Sequence, residues 1–101
     1  MRDRRSELRH STNLAAEVSW TEANNSQTVP GIIRNISRSG AQIQVERPIR
    51  LRTSLRIRAH EQSIEAKVIT CIRFGADYLI GVEVGPEFEG VLRREQLSYA
   101  G

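Results

Sequence analysis

Apolar residues alternate with polar ones in several short runs along the chain, which is the period-two pattern of half-buried β-strands. The pattern predicts strands over residues 13–20, 28–35, 41–46, 55–59, 64–74 and 78–84. Polar turn residues separate these runs, and Pro48 ends the third. Six short strands joined by turns predict an all-β fold, namely a small six-stranded antiparallel β-barrel. Closure would leave no unpaired strand edge, which an open sheet would have to protect.

Two details of the pattern are specific enough to test. Residues 21–30 are polar and include Asn24-Asn25-Ser26-Gln27, which predicts a solvated hairpin loop that overlaps the start of the second strand. In the fifth strand, strict alternation places five residues on one face: Ile64, Ala66, Val68, Thr70 and Ile72. Turns are predicted at residues 60–63 and 75–77.

The two ends of the chain have different patterns. Residues 1–12 are polar and charged, which predicts a flexible arginine-rich arm in front of a single domain over residues 13–101. After Pro86 the apolar residues Phe88, Val91 and Leu92 follow helical spacing, and Arg93 lies at the C-terminal end of that pattern. A short C-terminal helix is therefore predicted there, beginning with a proline in its first turn.

Composition restricts the class of protein. The 101 residues are enough for one domain with a modest core, and the single cysteine, Cys71, excludes an intrachain disulfide. No apolar run approaches the ~18–20 residues that span a bilayer, and no apolar stretch follows the charged N-terminus as in a secretory signal. We expect a cytoplasmic protein without membrane insertion. Because little sequence follows the predicted barrel, we expect any output domain to lie on another protein.

The basic residues are strongly biased towards arginine. The net charge is +3, and of 15 basic residues only Lys67 is a lysine. Arginine presents a planar fork of donors that matches phosphate oxygens and the O6/N7 edge of guanine. A GC-rich genome would produce the same bias, so the positions of the arginines are more informative than their number.

Two segments carry candidate binding residues. The turn Asn35-Ile36-Ser37-Arg38-Ser39-Gly40 lies between two predicted strands, and its asparagine, serines and glycine can present amide, hydroxyl and backbone N–H groups to an anion or a base. The arm carries Arg4, Arg5 and Arg9. Taken alone, the first segment is equally typical of an ordinary polar turn, and the second of a solvated terminus.

Together, the two segments resemble the signature of the PilZ domain family. That signature is Arg-x-x-x-Arg, then some twenty to thirty residues, then Asp/Asn-x-Ser-x-x-Gly. Arg5-Ser6-Glu7-Leu8-Arg9 and Asn35-Ile36-Ser37-Arg38-Ser39-Gly40 match all five defined positions in order, and residues 78–84 look like the family's closing strand. The turn begins with asparagine where aspartate is commoner, and the loop over residues 21–30 is long for the family.

The resemblance implies a six-stranded barrel that binds the bacterial second messenger cyclic di-GMP and needs no other cofactor. It implies that Arg5 and Arg9 contact phosphate and the guanine edge, and that Asn35 and Ser37 hold a second part of the ligand. Two further residues complete the predicted site, Gly40 as the residue that shapes the turn and Ser39 beside it. An arginine directly before the motif is associated in this family with a stacked pair of ligands, so Arg4 implies a dimeric ligand. The implied role is a receptor or adaptor whose arm orders over the ligand and signals to an effector protein.

Other functions remain open at this point. A PilZ-like protein-interaction scaffold with weak or no ligand binding has the same pattern. The arginines at 47, 50, 52, 56 and 58 could form a nucleic-acid-binding stripe, but no aromatic residue is interleaved with them, so binding to nucleic acid is disfavoured. His10 and His60 are isolated from other metal ligands, and no nucleophile, base and acid occur in a catalytic arrangement. We therefore expect no metal site and no enzymatic activity.

Overall fold

The computed structural model describes residues 10–37 and 39–84, and all of its regular elements are β-strands. They are β1 (His10–Glu22), β2 (Asn25–Ile36), β3 (Gly40–Val45), β4 (Ser54–Ala59), β5 (Gln62–Phe74) and β6 (Asp77–Val84). Each predicted strand is present, and most are longer than the alternation alone indicated. The predicted C-terminal helix and arm residues 1–9 lie outside the described residues, whereas residues 10–12 belong to β1. No helix in the described ranges is long and apolar enough to span a bilayer.

The six strands close into a barrel in the order β1-β2-β3-β6-β5-β4, and every neighbouring pair is antiparallel. The closing pair is the shortest, since β1 and β4 pair at only three positions: Glu17 with Arg58, Val18 with Ile57 and Ser19 with Arg56. The predicted fold, an all-β six-stranded antiparallel barrel, is confirmed.

The core fills the interior of the barrel with one face of each strand. Val18, Ile33, Ile43, Val68 and Ile80 are fully buried, and they come from five different strands. Burying an aliphatic side chain of this size contributes roughly 1.5–3 kcal/mol. No polar or charged side chain among the described residues is buried, so apolar packing alone stabilises this interior.

The predicted loop over residues 21–30 is wrong. The β1–β2 ribbon continues to Glu22 and Asn25, and only Ala23 and Asn24 form the turn, with φ of 51° and 67°. Positive φ at both central residues is the mark of a type I′ turn, whose twist suits a two-residue hairpin. Polarity indicates a loop over residues 21–30 because this end of the ribbon is exposed, and exposed strand positions are polar as well. A second tight turn, His60–Glu61, has the same conformation and moves the start of β5 to Gln62.

The predicted face of β5 is also wrong beyond Val68. The pairing with β6 is irregular between Val68 and Thr70, which leaves Ile69 as the extra residue of a β-bulge. Because one inserted residue inverts the alternation, Cys71 is the half-buried residue and Ile72 is 58% exposed. Periodicity cannot reveal such a bulge when apolar residues lie on both sides of the strand.

Candidate ligand-binding site

The turn between β2 and β3 is held at its base by backbone bonds. The Ser37 N–H donates to the Gly40 carbonyl at 2.8 Å, and the Ser37 hydroxyl lies 3.4 Å from the same oxygen. The Ser39 carbonyl accepts the Val84 N–H at 3.0 Å, so the turn is also attached to the end of β6. These bonds fix the positions of Ser37 and Ser39 on the barrel.

A bulge in β2 determines which way Asn35 points. Pairing with β3 is irregular between Ile33 and Asn35, so Arg34 is the extra residue, and Asn35 is half-buried between the buried Ile33 and Ile36. The Asn35 amide nitrogen donates to the Gln42 side-chain oxygen at 2.7 Å. This bond orients the amide on the outer face of the barrel, beside the turn.

The outward residues of four strands continue from Asn35 in one row. Asn35 pairs with Gln42, Gln42 with Gly81 and Gly81 with Thr70. A cavity of about 420 Å³ lies along this row, a size typical of small-molecule sites. It is lined by Asn35, Ser37, Ser39, Gly40, Ala41, Gln42, Ile69, Thr70, Gly81, Val82 and Glu83. The structure therefore brings the four predicted turn residues together in one cavity.

Several lining residues were not predicted from the sequence. Gln42 occupies an outward position on β3, so alternation combined with its amide could have indicated it. Alternation predicts Thr70 on the same face of β5 as Ala66 and Val68, and the β5 bulge is what places it here. Glu83 is exposed and is the only charged residue among the described lining residues. The described wall thus offers amides, hydroxyls and backbone groups but no positive charge.

Two glycines allow the strands that form this wall to approach closely. A Cβ on Gly40 would overlap the Val82 carbonyl, and a Cβ on Gly81 would overlap the Thr70 hydroxyl. Gly40 does not have positive φ. Among the described residues, Gly75 is the only glycine that does. Gly40 instead permits the close contact between the first residue of β3 and the backbone of β6, and its role in ligand binding stays a prediction.

The predicted arginines Arg4, Arg5 and Arg9 lie outside the described residues. The place where their segment joins the barrel is described, however: His10 pairs with Ile36, and Ser11 pairs with Asn35. The first described residues of β1 therefore lie beside the binding-turn candidate Asn35 and its neighbour Ile36.

Comparison with known protein families gives a match over nearly the whole chain. The family described as PilZ domain matches residues 3–98. The chain belongs to the PilZ domain family. This family is associated with binding of cyclic di-GMP and is a receptor domain rather than a catalytic one. No curated protein matches the chain.

The arginines that could form a nucleic-acid-binding stripe in this PilZ domain lie at positions 47, 50, 52, 56 and 58. Three of them contact other side chains of the protein. Arg56 forms an ion pair with Glu65 at 2.9 Å, and Arg58 with Glu17 at 3.7 Å. Arg47 donates to the Gln27 side chain, and its guanidinium lies 5.5 Å from the centre of the Trp20 ring. A nucleic-acid phosphate backbone would have to compete with these partners, so Arg47, Arg56 and Arg58 are poor candidates for a nucleic-acid surface.

A second, larger groove of about 660 Å³ lies elsewhere on this PilZ domain, between β1, β2 and β4. Serine and threonine side chains dominate its lining, and its charged residues Arg56 and Glu65 bind each other. It contains none of the motif residues. Among the described residues, no three histidine, cysteine or acidic side chains lie close enough together to hold a metal ion.

Proposed function

We propose that this PilZ domain is a cyclic di-GMP receptor that acts as an adaptor for an effector protein. The observation that carries the proposal is the position of the cavity. Its wall contains Asn35, Ser37, Ser39 and Gly40, and the first described residues of β1 pair beside it. The proposal is supported by the start of β1 beside this wall, where His10 pairs with Ile36 and Ser11 with Asn35.

The arm segment is basic and the described cavity wall is not, so we assign these two halves of the motif different roles in binding. Cyclic di-GMP carries two phosphate monoanions, and the described wall supplies only neutral donors together with the carboxylate of Glu83. Positive charge must therefore come from other residues, and Arg5 and Arg9 are the proposed source. Asn35 and Ser37 would then bind a guanine edge and a phosphate oxygen, while Arg4 would bind a second, stacked ligand molecule.

The proposed signal is the ordering of the arm. In the proposal, residues 1–9 close over the bound nucleotide, and this changes the surface that the effector protein contacts. Ordering a segment reduces the net affinity. Each charge-assisted arginine bond contributes roughly 1.5–3 kcal/mol, which has to exceed that loss.

Isothermal titration of the full chain with cyclic di-GMP tests the proposal. Arg5→Ala and Arg9→Ala are each expected to weaken binding roughly ten- to hundredfold, as the loss of one charge-assisted bond implies. Arg58→Ala is the matched control, because this exposed arginine lies on β4 outside the cavity. Absence of heat with a folded wild-type sample would contradict the proposal and favour a protein-interaction scaffold. Full affinity in both arm variants would mean that the site lies elsewhere.

The number of bound ligands separates the single from the stacked form. The same titration is expected to give two cyclic di-GMP molecules per wild-type chain and one per Arg4→Ala chain. A stoichiometry of one for the wild type would remove the proposed role of Arg4 but leave the rest of the site intact.

A further inference from the structure

The segment between β3 and β4 presents an apolar side chain between two arginines. Its tip is the four-residue turn Arg50-Leu51-Arg52-Thr53, called the arginine turn below. Leu51 is 58% exposed, which ties it with Ile72 as the most exposed large apolar side chain of the described residues. Both flanking arginines are exposed as well.

Backbone bonds hold the arginine turn in one conformation. The Thr53 N–H donates to the Arg50 carbonyl at 3.2 Å, which closes the turn. The Arg52 N–H donates to the Val68 carbonyl at 2.7 Å, and the Val68 N–H donates back to the Thr53 carbonyl at 3.0 Å. Ile49, the residue directly before the turn, is only 4% exposed and anchors the turn to the core. Leu51 is therefore exposed on a fixed support.

The conformation of Arg52 is unfavourable for an arginine. Its φ is 74°, the value that the third residue of a type II turn requires and that glycine or asparagine supplies most easily. The other four non-glycine residues with positive φ in the described ranges occupy the two-residue hairpin turns, where the strand twist demands it. Arg52 alone lies outside a hairpin. Strained residues of this kind often occur where a side chain is needed for binding.

The arginine turn also differs in its charges from the arginines on β4. Among the described residues no carboxylate forms an ion pair with Arg50 or Arg52, in contrast to Arg56 and Arg58 on β4. Residues 46–53 contain three arginines and one glutamate, Glu46, so this segment carries a local net charge of +2 (three minus one). Charge complementarity calls for an acidic partner.

An apolar groove lies beside the arginine turn. It has a volume of about 400 Å³ and runs between the end of the β1–β2 hairpin and the segment before β4, and its lining includes Trp20, Pro48 and Ile49. Arg50 and Thr53 belong to both the groove and the turn. The groove also contains Glu22, whose carboxylate accepts the Trp20 indole N–H at 3.2 Å.

We propose that the arginine turn and this groove form a docking site for an acidic segment of a partner protein. A large apolar side chain of that segment enters the groove and packs against Leu51, while flanking carboxylates bind Arg50 and Arg52. The concave groove favours a peptide over a lipid surface, because a bilayer would contact only the protruding Leu51. This surface shares no residue with the cyclic di-GMP cavity.

The inference names a partner class for the proposed adaptor and rests on that role only for its biological use. It is tested without nucleotide, by selecting binders of the immobilised full chain from a displayed library of random peptides. Selected peptides are expected to be enriched in aspartate and glutamate around an aromatic residue or leucine. A resynthesised, fluorescein-labelled peptide then gives affinities by anisotropy.

Three variants and one control make the test specific. Leu51→Ser, Arg50→Ala and Arg52→Gly are each expected to weaken peptide binding about fivefold or more, as loss of a central apolar or charged contact does. Arg52→Gly should also raise the melting temperature, because glycine adopts positive φ without strain. Arg58→Ala should leave the peptide affinity unchanged and should not raise the melting temperature, and all four variants should bind cyclic di-GMP like the wild type.

Several outcomes would overturn the inference. Peptides without acidic enrichment, or affinities that the three variants leave unchanged, would exclude this docking site. An equal loss in Arg58→Ala would mean that only overall charge matters. If vesicles containing phosphatidylserine bind the chain through Leu51 while no peptide is selected, the surface is a membrane contact instead. None of these results bears on cyclic di-GMP binding, which the separate titration measures.

Discussion

Individual glycines allow the walls of the candidate site to form. At Gly40 the obstacle to a side chain is backbone, the Val82 carbonyl, whereas at Gly81 it is the hydroxyl of Thr70. A carbonyl within a paired strand cannot move without breaking the β3–β6 ladder, but a side chain can be replaced. The two glycines therefore differ in whether a second substitution can restore the packing.

A double substitution tests the contact at Gly81. Gly81→Ala is expected to lower the free energy of unfolding by about 1–3 kcal/mol, as overpacking does. Adding Thr70→Ala should restore most of the loss, because the nearest remaining atom, the Cβ at position 70, is 3.7 Å away, an ordinary contact distance. Thr70→Val is the control, since it keeps the branched side chain and should not rescue. Urea unfolding measures all the variants, and equal rescue by alanine and valine would refute the explanation.

At the scale of single strands, two irregularities decide what faces the site. The bulge at Arg34 turns Asn35 outwards, and the bulge at Ile69 does the same for Thr70. Alternation predicted where the strands lie, because side chains that face the core are apolar and those that face water are mostly polar. It could not locate the bulges, because an inserted residue is recognised only from its partner strand. The motif residues of the turn were predictable, and the rest of the cavity wall was not.

The inverted face of β5 has a direct test by substitution. Ile72→Lys is expected to change the free energy of unfolding by no more than about 0.5 kcal/mol, as at other exposed sites. Cys71→Lys should lose about 1–3 kcal/mol, because Cys71 is half-buried against the core and a charge there would be partly desolvated. Thermal and urea unfolding measure both variants. A larger loss of unfolding free energy from Ile72→Lys than from Cys71→Lys would mean that Ile72 faces the core, as the simple alternation predicts.

The β1–β2 hairpin can be stabilised through its turn. Ala23→Asn with Asn24→Gly places the preferred type I′ pair at two positions that already have positive φ. We expect a gain of about 0.5–1 kcal/mol, since αL conformations cost an alanine about 1–2 kcal/mol. Ser26→Gly, an exposed strand position next to the turn, is the control and should destabilise instead. A loss from the double substitution in urea unfolding would show that the turn has another conformation.

For the whole molecule, closure of the barrel depends on its shortest pairing. The β1–β4 seam joins three residue pairs, of which only Val18 and Ile57 point into the core. The Glu17–Arg58 ion pair on its outer side is more than half exposed and is worth at most about 1 kcal/mol. Sequence alternation predicted six strands and a barrel, but not which strands meet at the seam, because strand order depends on packing between residues far apart in the chain.

The seam should therefore respond to its apolar pair and not to its charges. Ile57→Ala is expected to lower the free energy of unfolding by about 2–5 kcal/mol and to speed hydrogen exchange of amides in β1 and β4. Arg58→Ala should lose about 1 kcal/mol or less. Comparable effects of the two substitutions on unfolding or exchange would mean that the ion pair closes the barrel.

The bond between the Val84 N–H and the Ser39 carbonyl couples the turn between β2 and β3 to the end of β6. When Val84 is pulled away from β3, this bond is loaded before the interior pairs of β3 and β6. In a single-molecule pulling experiment, β6 therefore cannot separate from β3 at this end without disturbing the turn. A ligand that clamps the turn should consequently raise the rupture force of the first unfolding step.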